Sequence, residues 1–125
     1  MEEKLERMNA WFDAQIAACA KQRETLLADD RADEADFEKI KANIYDIFRT
    51  VLKTAAKESK GDNGAAKRFF LLRMEQIPSA WSASYEKAKQ HGDAEKMRIE
   101  SLKRNTAQKI RTKFTEIWEI GRAHV

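Results

Sequence analysis

At 125 residues with a formal charge of +3, 42% apolar and 36% charged, the chain has the composition of one helical domain with room for one core. Three Trp and six Phe exclude a disordered chain, and no apolar run approaches the roughly 20 residues that span a bilayer. The charged start, Met1-Glu-Glu-Lys-Leu-Glu-Arg7, leads to no apolar run, so no signal peptide is expected. A single cysteine cannot form an internal disulfide, and the expected location is the cytoplasm. Charge is graded along the chain, from −3 over residues 1–30 to +3 over residues 93–125, without a block of like charges.

The spacing predicts a first helix over 3–28. Leu5, Met8, Phe12, Ile16 and Cys19 recur every three or four residues, and Leu26 continues the line. Glu2 and Glu3 suit the positive end of the dipole, and Trp11 lies on the flank of the stripe. The acidic exit, Ala28-Asp-Asp-Arg-Ala-Asp-Glu34, holds no glycine, and Asp33 is the expected N-cap of the next helix.

A second helix is predicted over 34–60, with Phe37, Ile40, Ile44, Ile47, Val51 and Ala55 as its core line, widened by Tyr45, Phe48 and Leu52. Gly61 stands past its end, and Gly61-Asp-Asn-Gly64 is a turn in which Asp62 or Asn63 caps the third helix.

The third helix begins near Ala65 and meets the only proline, Pro78, which removes a backbone donor and disfavours helical geometry at Ile77. The helix therefore kinks there, or stops and restarts with Pro78 first or Ser79 as cap. Its core line is Ala66, Phe70, Met74, Ile77, Trp81, Ser84 and Ala88, ending at His91-Gly92. Asp93 caps a fourth helix running to about Trp118, with Ile99, Leu102, Thr106, Ile110, Phe114 and Ile117 inward and Glu100 paired to Arg104 four residues on.

The last residues, Glu119-Ile-Gly-Arg-Ala-His-Val125, resemble one reading-frame translation of a widely used sequencing-library adapter. The resemblance implies a domain over 1–118 and a non-native tail over 119–125; the alternative is a native tail in which Gly121 ends the last helix. Four segments of similar length joined by short turns predict an all-α fold, an antiparallel up-down four-helix bundle with its third helix kinked or broken at Pro78. The alternative is a long helical hairpin that completes its core by dimerising.

The inventory for catalysis is thin. With His124 in the tail, His91 is the remaining histidine, and it sits in the last turn of a helix, where a cation suits the carbonyl end. Cys19 falls on a core stripe with no base to activate it. Close carboxylate pairs such as Glu3 with Glu6 and Asp33 with Asp36 lie at helix starts, and no Glu-x-x-His, zinc or phosphate-loop pattern occurs. No cofactor and no metal are expected.

Binding carries more weight. Leu71 and Leu72 project away from the core line of the third helix; either a kink at Pro78 turns both under neighbouring helices, or with Trp11, Phe69, Trp81 and Tyr85 they form the expected surface for a protein partner or for a second copy in a homodimer. The alternative is weak nucleic-acid binding by the basic fourth helix through Lys103, Arg104 and Arg111. Its cations spread over both flanks of the helix, which makes nucleic acid the less favoured partner. A third possibility, an enzyme with a pocket between helices, would need paired carboxylates in a cleft.

Overall fold

The computed structural model describes residues 1–123, with side chains to Glu119. Those residues form four helices and no strand: α1 (Glu2–Ala28), α2 (Ala32–Ser59), α3 (Asn63–Gln90) and α4 (Ala94–Ala123). None of the four is long and apolar enough to cross a membrane.

On α1 the expected stripe faces inward. Met8, Phe12, Cys19 and Leu26 are buried, with Leu5 and Ile16 at the margin of the core. The helix ends in a Schellman motif: the Arg31 N–H donates to the Leu26 carbonyl at 2.8 Å and the Asp30 N–H to that of Leu27 at 3.2 Å. Asp30 adopts φ 59° to make this turn. The connection is so short that Arg31 is already the N-cap of α2, without a side-chain bond. Asp33 is thus not the expected cap; it lies inside the first turn, where its charge meets the dipole.

The buried face of α2 is turned from the expected line. Ala35, Ile44, Tyr45, Phe48, Leu52, Ala55 and Ser59 are buried, while Ile47 is 41% exposed and Val51 only half-buried. At about 100° per residue the true face is rotated by roughly 60° from the predicted one. Tyr45, Phe48 and Leu52 carry more apolar area than Ile47 and Val51, so burying them contributes more. The helix ends with Lys60 at φ 51° and Gly61 at φ 89°, both left-handed.

Asp62 then caps α3, its Oδ1 accepting from the Gly64 and Ala65 N–H groups at 2.9 and 3.2 Å. The helix is continuous from Asn63 to Gln90 with Pro78 inside it, so it does not stop and restart. Proline offers the Met74 carbonyl no N–H. Ser79 is not a cap; its hydroxyl donates to the Gln76 carbonyl at 2.7 Å. A second Schellman motif closes the helix, with the Asp93 N–H on the Ala88 carbonyl at 2.9 Å and Gly92 at φ 68°.

Asp93 caps α4 as expected, accepting from the Lys96 N–H at 3.0 Å. Thr106, Ala107, Ile110, Phe114, Ile117 and Trp118 are buried, and Ile99 and Leu102 half-buried. The helix passes Gly121 and reaches Ala123. His124 and Val125, the end of the expected tail, lie outside the described residues.

The helices pack as a bundle of unequal diagonals. α1 lies on α2 and α3 on α4; α2 also meets both α3 and α4, and α4 touches α1, but among the described residues the backbones of α1 and α3 never approach. An aromatic run crosses the core from α2 through α3 to α4. Phe48 meets Phe70 edge-on at 6.3 Å, Phe70 stacks on Phe114 at 4.2 Å, and Phe114 stacks on Trp118 at 4.4 Å.

Candidate functional site

The titratable groups the sequence offered for chemistry are dispersed. Cys19 is buried; burial pushes its thiol up from the ordinary value, and the nearby Glu38 carboxylate adds to the rise. A thiol held protonated is a poor nucleophile. His91 is exposed at the end of α3, its backbone N–H donating to the Lys87 carbonyl at 3.2 Å. Among the described residues no group of three His, Cys, Asp or Glu side chains is placed to hold a metal ion.

The basic row of α4 is partly used inside the fold. Lys103 Nζ lies 5.9 Å from the centroid of Trp81 and donates to Glu100 at 3.5 Å, and Arg104 lies over Tyr85 at 4.6 Å. Glu100 therefore pairs with Lys103 and not with Arg104, as the sequence suggested; the stronger attraction for Arg104 is the ring beside it. Of the three cations named for nucleic acid, Arg111 alone is exposed; Lys103 and Arg104 are half-buried.

The expected partner surface separates in the same way. Trp11 packs on the core, edge-on to Phe12 and Tyr45 at 5.5 and 5.6 Å. Trp81 is edge-on to Phe48 at 6.4 Å, and Phe69 lies beneath the Arg73 guanidinium at 5.4 Å. Leu71 does not project into solvent: it is half-buried and packed against the core. At about 100° per residue it sits roughly 100° from the centre of the α3 stripe, within reach of the core's edge, whereas Leu72 sits roughly 160° away. Leu72 is 53% exposed.

Two features escaped the sequence. Ile47 and Leu27 are the other large apolar side chains in solvent among the described residues, on α2 and at the end of α1. A groove of about 600 Å³ also runs between the first halves of α2 and α4, lined by Asp33, Glu34, Asp36, Phe37, Ile40, Ala94, Glu95, Arg98 and Ile99. Phe37 and Ile40 looked like core residues, and only the packing leaves them at an opening. Comparison of the chain with models of protein families, with curated proteins and with solved structures gives no match.

Proposed function

We propose that this chain is a non-enzymatic antiparallel four-helix bundle that works in the cytoplasm by binding protein, its own copies included. The up-down order is supported by contacts that run in opposite senses. Met1 meets Ser59 and Asp13 meets Arg49 between α1 and α2; Phe70 meets Phe114 and Tyr85 meets Arg104 between α3 and α4. A bend of α3 at Pro78 follows from the missing donor and from Ser79 bonding back to Gln76. The lone cysteine, buried and unpaired, suits a reducing compartment.

The observation that carries the binding role is Leu72, a large apolar side chain held in water in the middle of a well-packed helix. Nucleic-acid binding through α4 is the weaker reading, because two of its three cations already lie over rings of α3. Sedimentation velocity at micromolar concentration tests the self-associating form. Wild-type protein is expected to sediment faster than a monomer, and Leu72→Glu as a monomer of unchanged helicity. A wild-type monomer at all concentrations overturns self-association.

A further inference from the structure

The α2–α4 groove and the Leu72 face are complementary in both charge and apolar character. The floor of the groove is Phe37, Ile40 and Ile99, all half-buried, and no α3 residue lines it. Its rim carries Asp33, Glu34, Asp36 and Glu95 against the single cation Arg98. Glu34 is held by Arg31, but Asp33, Asp36 and Glu95 are exposed and make no ion pair among the described residues. Their place near the starts of two helices gives each a dipole reason to be acidic. It gives no reason for three large apolar side chains between them to lie at an opening.

On the opposite partner, Leu72 has Arg68 one turn before it and Arg73 beside it, both exposed, with Glu75 on its other side. Arg68 and Arg73 make no ion pair among the described residues; Arg73 rests on Phe69 and donates to Gln76 Oε1 at 3.1 Å. The result is an apolar knob with two cations at its base.

We propose that the Leu72 knob of one copy seats in the α2–α4 groove of a second copy, with Arg68 and Arg73 against Asp33, Asp36 and Glu95. This contact rests on the self-associating reading above and names its two surfaces. Knob and groove are different parts of one molecule, so two copies close a dimer where both contacts form at once and extend into a longer assembly where only one does. Assemblies grow with concentration and dissolve as salt screens the rim.

Mixing two variants tests it. Leu72→Glu lacks the knob and keeps the groove; Asp33→Lys/Asp36→Lys lacks the groove's charge and keeps the knob. Each alone is expected to associate roughly tenfold or more weakly than wild type, a step of about 1.4 kcal/mol. Their equimolar mixture is expected to form a 1:1 heterodimer by sedimentation, because the knob-less copy still offers an intact groove to the knob of the other. If wild type associates and Leu72→Glu does not, but the double-lysine variant associates like wild type, the groove assignment is overturned and self-association stands. Two monomeric variants that stay monomeric when mixed likewise overturn the knob-in-groove contact. A wild-type monomer overturns both. Should the double-lysine variant lose helicity, the shape-preserving Asp33→Asn/Asp36→Asn takes its place with the same outcomes.

Discussion

The guanidinium of Arg104 on α4 lies 4.6 Å from the centroid of the Tyr85 ring on α3. A cation over a ring at this distance attracts its quadrupole, and partial burial protects that attraction from solvent. Arg104 therefore joins two helices. In a double-mutant cycle of Arg104→Ala and Tyr85→Leu, a coupling of about 0.5–1 kcal/mol is expected by urea unfolding. Strict additivity would show that the stack contributes nothing.

The two Schellman turns offer a matched pair of substitutions. Asp30 and Gly92 occupy the same left-handed position, at φ 59° and 68°. A side chain at that angle is strained, so Asp30→Gly is expected to stabilise by about 0.5–1 kcal/mol. A Cβ at Gly92 would meet nothing within 4 Å, so the cost of Gly92→Ala, about 1 kcal/mol, is purely one of backbone conformation. Thermal unfolding should move a few degrees up for the first and down for the second.

Cys19 makes stability depend on alkaline pH. Burial, then Glu38, raises its thiol above the ordinary 9.0, and burial raises Tyr45 above 10.0. The folded chain thus keeps both protons to higher pH than the unfolded chain. The contribution is complete below the unfolded value and is lost as pH rises past it, first for Cys19 and then for Tyr45. Urea midpoints should fall through this range, and Cys19→Ala should remove the earlier part of the fall. In folded protein at neutral pH, disulfide reagents should label Cys19 only as fast as the bundle opens.

Glu100 is 5% exposed, and its Oε2 has no hydrogen-bond partner among the described residues. A carboxylate taken from water with one weak partner costs more than that partner returns. Glu100→Met is expected to stabilise by about 1–2 kcal/mol, because Lys103 remains half-buried over Trp81 and is not left stranded. A lower urea midpoint at unchanged slope would show instead that the carboxylate helps hold Lys103 over Trp81.

Much of the fold was legible where one apolar line stands without a rival. Met8, Phe12 and Cys19, or Ile110, Phe114 and Ile117, admit one inward face, Asp93 was legible as a cap, and of Asp62 and Asn63 the structure selects Asp62. On α2 two overlapping lines exist, through Ile47 and Val51 or through Tyr45, Phe48 and Leu52. The choice depends on three neighbouring helices, which no periodicity encodes. The α1 exit lacked a glycine signal because Asp30 does a glycine's task. Leu72 could be found from its angle on α3. The groove could not, because it depends on where the neighbouring helices leave α2 and α4 uncovered.

The closest pairings, α1 with α2 and α3 with α4, join segments that are also neighbours in the chain. Forming each requires closing a loop of only a few residues, which costs little chain entropy. Topologies of this kind fold in microseconds to milliseconds. The search is thus short at the start and concentrated at one late step, the meeting of the two pairs along the Phe48, Phe70 and Phe114 rings. Because the α1–α2 pair is already formed when the two pairs meet, substitutions within it should slow folding, whereas those at the Phe48–Phe70 seam should divide their effect between folding and unfolding.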